Sequence, residues 1–464
     1  MKNEKLTALL VSASASFLTP FMSSAINIAL PSIGREFHTD AIMLSWVATA
    51  YILSVAMFLV PLGKIADIIG RKRVFIVGIS IFTIGSLFSI FAPFIEFLIL
   101  LRAFQGFGGA MIFGTNVAIL TSVFPPEERG TVLGINVTAV YVGLSSGPFL
   151  GGFLTDYFGW RSILFFTVLI GLCSVVLTLG KLKGEWAEAK DEKFDFMGSI
   201  IYCLMLVTLL YGVSNFDPNN PLLGFLLVGF ALFCFILFLF WENRVKFPVL
   251  DIKLFRYNRT FAFSSLVALL HYSATAAISF LLSFYLQYTK DLTAQEAGFI
   301  LLAQPAMMAL FSPLAGWLSD RIEPRVVVST GMAITSLGLL FLSFIDALTP
   351  IVLIFVILLV LGFGYALFSS PNTNAIMSAV ERKFFGVASA TVGTMRSIGQ
   401  VLSMALVMLI FSLLIGRTDP ELSPFLVESI KLCFAIFAAL CFGAIFASLV
   451  RGNIRTVLPV ERQH

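Results

Sequence analysis

The chain has 464 residues, of which 58% are hydrophobic and only 12% charged, and it carries a formal net charge of +4. A soluble fold of this length would lack the polar material to cover its surface, so the composition excludes a water-soluble globule and makes the bilayer the solvent. The small positive balance is accounted for by loop topology and phospholipid headgroups, and it gives no reason to invoke a nucleic-acid partner.

In chain order, apolar runs bounded by charge or by Pro and Gly clusters predict fourteen membrane helices. They lie near 6–30, 41–63, 74–92, 95–124, 131–155, 159–180, 195–215, 221–241, 260–288, 295–318, 326–345, 350–378, 387–415 and 426–450. Each can supply the roughly 20 residues that cross a hydrocarbon core. The first run, at about 25 residues, is too long for a signal-peptide core of about 7–15 and is read as helix 1. The expected fold is an all-α integral membrane protein made of two six-helix bundles in parallel pseudo-repeat plus two extra central helices. Residues 1–180 form the N-terminal bundle, 181–259 a linker carrying the two extra helices, and 260–464 the C-terminal bundle with its tail. The extra pair is expected at the periphery, because the repeat closes without it.

Orientation follows from Lys and Arg. One side of the predicted topology collects Lys64, Arg71, Lys72, Arg73, Arg129, Arg382 and Lys383 with many others, while the opposite side holds only Arg35, Arg161, Lys290 and Arg417. That asymmetry predicts a multi-pass cell-membrane protein with both termini cytoplasmic.

The repeat is visible in the residues themselves. Gln105–Phe124 reappears as Leu361–Val380, with Gly106/Gly362, Gly108/Gly364, Ala110/Ala366, Asn116/Asn372 and Ser122/Ser378 each 256 positions apart. The same offset relates Gly130 to Gly386, Thr138 to Thr394 and Gly143 to Gly399, and an offset of 253 relates Gly63 and Asp67 to Gly316 and Asp320. A parallel repeat of this kind predicts a two-bundle transporter whose substrate site lies between the halves.

Three local patterns carry a family resemblance. The loop Gly63-Lys-Ile-Ala-Asp67-Ile-Ile-Gly70-Arg71-Lys72-Arg73 resembles the loop signature of the major facilitator superfamily. There the matching acid belongs to a charge relay that holds the halves in the outward-open state, which implies a gating role for Asp67 and for Asp320. Arg102-Ala-Phe-Gln105-Gly106 resembles that family's buried-arginine signature; a charge there costs roughly 2.5–3.5 kcal/mol even on the lenient insertion scale, so function or tight pairing is expected. Gly143-Leu-Ser-Ser-Gly147-Pro148-Phe-Leu-Gly151-Gly152 matches the GxxxGPxxGG signature of the export branches. Its glycines strip one helix face and its proline bends the helix, allowing close packing and pivoting. The segments that open the first extra helix and lead into the ninth helix at 260–288, together with Trp160-Arg161, are similar to the fourteen-span drug:proton antiporter branch. One departure is that Met22 stands where that branch usually has an acid.

No carboxylate is expected near the midplane. Glu96, Asp156, Asp346 and Glu428 fall at helix ends, with Lys431 one turn from Glu428 as its expected partner. The midplane cations are Arg396 and His271; His271 is read either as a titrating proton carrier or as a neutral hydrogen-bonding histidine. Further cavity candidates are Asn27, Tyr51, Gln105, Asn116, Tyr141, Gln287, Gln304, Tyr365, Asn372, Asn374 and Gln400.

An enzyme is not expected. Three histidines, His38, His271 and His464, cannot build HExxH or a multi-histidine metal site, no P-loop is present, and the five cysteines sit in apolar runs without ligand spacing. Neither cofactor nor metal is expected. The sequence therefore predicts a monomeric secondary transporter, coupled to protons or another ion and exporting amphipathic small molecules. A nutrient or metabolite symporter, or a non-transporting sensor on the same scaffold, is the alternative.

Overall fold

The computed structural model describes residues 2–124, 126–182, 184–187, 192–214, 222–250, 255–256, 258–380, 385–416 and 424–452. Arg382, Lys383 and Arg417 lie outside the described residues, as do the side chains of Arg129 and Asp320.

The N-terminal half comprises α1 (Lys2–Phe37), α2 (Ala41–Ile69), α3 (Arg71–Ile90), α4 (Ile95–Val123), α5 (Pro126–Phe158) and α6 (Arg161–Lys181). Two helices follow, α7 (Phe196–Ser214) and α8 (Leu222–Glu242). The C-terminal half holds α9 (Arg259–Thr275), α10 (Ile278–Phe284) with a π turn at Tyr285–Thr289, α11 (Ala294–Leu301), α12 (Ala303–Arg321), α13 (Pro324–Leu342), α14 (Ile351–Ser378), α15 (Phe385–Leu414) and α16 (Leu426–Val450). By length and composition these give 14 membrane spans, with α9–α10 and α11–α12 each forming one broken span. An even number of crossings puts both termini at one end, called here the terminus end; the other is the far end.

The halves repeat in contacts as well as in letters. A Cβ on Gly106 would run into the Tyr51 carbonyl of α2, and a Cβ on Gly362 into the Gln304 carbonyl of α12. A Cβ on Gly108 would sit 2.6 Å from Gly78 O, and one on Gly364 2.9 Å from Gly331 O. The amide of Asn116 donates to Ser12 O at 3.2 Å, that of Asn372 to Ser264 O at 3.0 Å. Each glycine lets two backbones touch, and each asparagine ties the fourth helix of its half to the first.

Prolines inside helices shape the rest. Each lacks the N–H that would bond the carbonyl four residues back, so that acceptor is freed. Pro31 frees Asn27 O, which Ser283 takes at 2.8 Å; Pro148 frees Leu144 O, which Ser24 takes at 3.1 Å; Pro61 frees Met57 O, which Cys203 Sγ approaches at 3.4 Å. This is why α1 continues to Phe37 although the apolar pattern ends it near residue 30: the helix survives Pro31 because a neighbouring helix satisfies the freed group. The break at Ala276–Ala277 is stabilised in the same way, with Ala277 N–H donating to Ser403 Oγ at 3.2 Å.

The extra pair is not wholly peripheral. Tyr202 of α7 donates to Ala56 O of α2 at 3.0 Å, and Ile201, Met205 and Leu206 share a core with Leu53 and Val60 of α2 and Val401, Ala405 and Met408 of α15. Helix α7 thus lies across the seam between the halves. Most of α8 faces outward, with Leu226, Phe233 and Ile236 exposed.

Candidate functional site

The far end is shut by contacts between the halves. Ser283 Oγ donates to Asn27 O, Gln287 Nε2 to Ile28 O at 2.9 Å and Tyr288 OH to Pro31 O at 3.5 Å. On the other flank, Asp156 Oδ2 accepts from Gln295 N–H at 2.7 Å, adding an anion to the first turn of α11. Beside it, α5 and α11 meet with no room for side chains: Gly298 lies under the Pro148 carbonyl and Gly152 under the Ala294 carbonyl.

This divides the glycine run of α5 into two faces. Cβ atoms on Gly143, Gly147 and Gly151 would strike Phe17 O, Ser24 and Ala25 of α1, all within the N-terminal half. Gly152 and the Pro148 carbonyl instead meet α11 of the other half.

At mid-depth the two halves enclose an aromatic and cationic cluster. The Arg396 guanidinium of α15 lies 5.7 Å from the centroid of the Phe113 ring of α4 and close enough to the phenols of Tyr141 and Tyr365 to interact with both electrostatically. Tyr141 of α5 faces Ser312 of α12 and Ser369 of α14, again across the seam. Tyr365 packs edge-on to Tyr272 at 6.0 Å. Nearby, Gly393 of α15 lies against Leu59 of α2.

Arg102 sits inside the N-terminal half, fully buried. It donates to Val47 O at 3.1 Å and to Gln105 Oε1 at 2.6 Å, and its guanidinium lies 4.5 Å from the Tyr51 ring centroid. Gln105 passes the chain on to Ser86 and Ser89, both at 3.3 Å. Among the described residues no carboxylate bonds to this arginine, and Arg102 Nη2 and the Tyr51 hydroxyl are buried without partners. Buried groups of that kind call for explanation, and an unneutralised charge more than most.

At the terminus end, Asp67 accepts from Arg71 Nε at 2.9 Å and Arg71 Nη1 donates to Ser122 at the end of α4. Gly70 turns the chain at φ 124, and a side chain there would also collide with the Glu185 carboxylate. Glu185 accepts from Lys72 N–H, and Lys64 pairs with Glu192. These contacts of Gly63–Arg73 stay within the N-terminal half and the linker. Gly63 itself leaves room, with nothing within 4 Å of where a Cβ would stand, while a Cβ on Gly114 would approach the Gly63 Cα at 3.3 Å.

The remaining candidates divide by location. Asn116 and Asn372 are engaged inside their own halves; Asn372 also accepts from Arg451 Nη1 at 3.1 Å, where burial pulls the Arg451 pKa down to about 10. Asn374 donates to Ser319, and Gln287 belongs to the far-end closure. His271 is enclosed within the C-terminal half: its ring stacks on Phe368 at 3.6 Å, Nδ1 lies 3.9 Å from Cys441 Sγ, and Nε2 has no partner among the described residues. The amides of Asn27, Gln304 and Gln400 make no described hydrogen bond to the protein. The expected pair of Glu428 with Lys431 is not formed; Glu428 is exposed and Lys431 half-buried.

Sequence reasoning missed Ser283, Gln295 and Gly298 as partners of α1 and α5, and Phe113 as the face that receives Arg396. Pro31 was the available signal for Ser283, since it announces an unfilled carbonyl that something must fill; nothing in the sequence marks Gln295, Gly298 or Phe113.

A family profile described as Major Facilitator Superfamily matches residues 12–264 and again 264–462. The chain is 30% identical over 87% of both lengths to the riboflavin transporter RibZ of Clostridioides difficile. It is 31% identical to the multidrug resistance protein Stp of Mycobacterium tuberculosis, over 87% of this chain and 75% of that one. It is 30% identical to the cephamycin export protein CmcT of Amycolatopsis lactamdurans, over 87% and 84%. Among solved structures, a bacterial homologue of the human lysosomal transporter Spinster, inward-facing and unoccupied, superposes with a TM-score of 0.69 at 16% identity over 98% of each chain. A POT family transporter in complex with a thioalcohol-conjugated peptide gives 0.73 at 16% over 96% and 95%.

Proposed function

The chain belongs to the Major Facilitator Superfamily, and on that premise we propose that it is a proton-coupled exporter of amphipathic small molecules working by alternating access. Transport and membrane embedding follow from the family and the 14 spans. The direction, the coupling ion, a monomeric state and cytoplasmic termini are our reading.

The observation that carries it is the far-end closure. Gly152 and Gly298 press backbone on backbone between the halves, while the contacts described for the Asp67 loop at the terminus end run to the N-terminal half and the linker. With cytoplasmic termini, as the Lys and Arg distribution favours, this is a state closed to the outside. Opening outward requires α5 to part from α11, breaking the Asp156–Gln295 bond. The Asp67 loop is then free to engage the other half.

Because no midplane carboxylate is described, coupling falls to the acids at the two gates. Asp156 ties α5 to α11 at the far end and Asp67 organises the loop at the terminus end, so each acid stands where the two states differ. Likeness to multidrug and cephamycin export proteins supports export of amphipathic molecules. A second reading, a metabolite carrier on the same scaffold, draws on the likeness to the riboflavin transporter.

Energised cells expressing the chain should accumulate less of an exported dye than cells expressing Gly152→Leu, and a protonophore should abolish the difference. Equal accumulation in both strains before the protonophore would exclude export of that compound.

A further inference from the structure

We propose that the Arg396, Phe113, Tyr141 and Tyr365 cluster is the anchor for an organic anion borne on an aromatic ring system, so that this transporter selects anionic aromatic amphiphiles over lipophilic cations. The inference rests on the transporter reading and names the substrate class for it.

The argument begins with an uncompensated charge. Arg396 stands eleven residues from the start of α15, and the guanidinium reaches across to α4 of the other half. It lies over the Phe113 ring, 5.7 Å from the centroid, and among the described residues it makes no hydrogen bond or ion pair. A cation–π contact at this distance uses none of the five N–H donors of the guanidinium. A cation at this depth is costly unless it meets an anion or water, and the described acids of the spans lie at helix ends instead. The donors are therefore available to a ligand from between the halves.

The surroundings fix the rest of the ligand. Phe113, Tyr141 and Tyr365 supply aromatic faces from both halves, which suits a planar ring stacked or edge-on. The hydroxyls of Tyr141, Ser312 and Ser369 give neutral polar contacts. A carboxylate or sulfonate on the guanidinium edge forms charge-assisted, bidentate bonds. A permanent cation meets repulsion and no counter-charge. The site is also asymmetric: the position matching Arg396 in the first half is Val140, so the anion is held by the C-terminal half and the ring is clasped from both.

The test is equilibrium binding to the purified full chain, read by fluorescence anisotropy, with carboxyfluorescein as the anionic probe and rhodamine 6G as the cationic one. Wild type should bind carboxyfluorescein more tightly than rhodamine 6G. Arg396→Gln should weaken the anion by about 10- to 100-fold, the range expected for lost charged hydrogen bonds, and leave rhodamine 6G unchanged or tighter. Arg396→Lys, which keeps the charge and loses the fork, should fall between. Thermal unfolding of each variant separates binding loss from misfolding, and Tyr141→Phe gives a second, charge-neutral variant that should weaken both probes equally. Equal binding of the two dyes by wild type, or an unchanged carboxyfluorescein affinity in folded Arg396→Gln, overturns the proposal. In vesicles the two readings separate: export of rhodamine 6G without carboxyfluorescein sinks the anion assignment and keeps the exporter, whereas selective anion binding with export of neither dye sinks the exporter reading and keeps the site.

Discussion

Gly298 of α11 lies directly beneath the carbonyl oxygen of Pro148 of α5, so that the two halves touch there through backbone alone. Gly152 repeats the contact against Ala294 one turn further on. The far end can close only because these positions carry no side chain, and opening it needs only a small separation of two smooth surfaces.

Gly298→Val and Gly152→Leu should therefore insert and fold, yet fail to close the far end. Both should lose turnover and leave far-end cysteine probes open to impermeant thiol reagents. Gly147→Leu and Gly151→Leu should behave differently, because their faces meet Ser24 and Ala25 inside one half. There the overpacking costs about 1–3 kcal/mol of stability, read as a lower unfolding temperature in detergent. Full activity in all four variants would show the glycine faces to be incidental.

Asp156→Asn should loosen the same gate more gently. The change removes the charge from a solvent-exposed bond to Gln295 N–H, worth about 0.5–1 kcal/mol, or a few-fold in the balance of the two states. Spin labels on the far ends of α5 and α11 should report a larger open fraction in the variant. An unaltered distance distribution would remove Asp156 from the gate.

Asp67→Asn should keep expression and lower transport, because the Asp67–Arg71 pair organises the loop that must engage when the far end opens. The same spin labels should now show less of the far-end-open state. Wild-type transport together with an unchanged distribution would count against the role.

Arg102→Met tests the buried arginine. The change removes an unneutralised buried charge but leaves the Gln105 Oε1 acceptor without its donor, a loss of about 1–3 kcal/mol, so the unfolding temperature should fall by several degrees while the protein still folds. Transport should fall at least tenfold if the unpartnered Nη2 and the Tyr51 hydroxyl serve the cycle. A variant that is both unstable and inactive in proportion would mark Arg102 as structural.

How far the residues announced all this depends on what each feature needs. Gly106 and Gly362 are legible because a close backbone approach admits one residue, and it recurs at a fixed offset. Arg396 is legible as a rare charge in an apolar run, but its receiving face, Phe113, is one of 49 phenylalanines and carries no mark. His271 stands in a helix whose polar residues, Ser264, Ser265, Ser273 and Thr275, gather on no single face, so periodicity could not tell the bundle interior from the seam. The place of α7 was equally hidden, since packing on both α2 and α15 is a matter of tertiary contact. The carbonyls freed by Pro31 and Pro148 could be counted in advance; the helices that fill them could not.

The most direct measurement is proton movement in vesicles containing the purified chain and a trapped pH-sensitive dye. When an exported amphiphile is driven across the membrane, protons should move in the opposite direction, in proportion to the compound and not at all with Gly152→Leu. Substrate flux without any proton movement, or protons travelling with the substrate, would contradict the account.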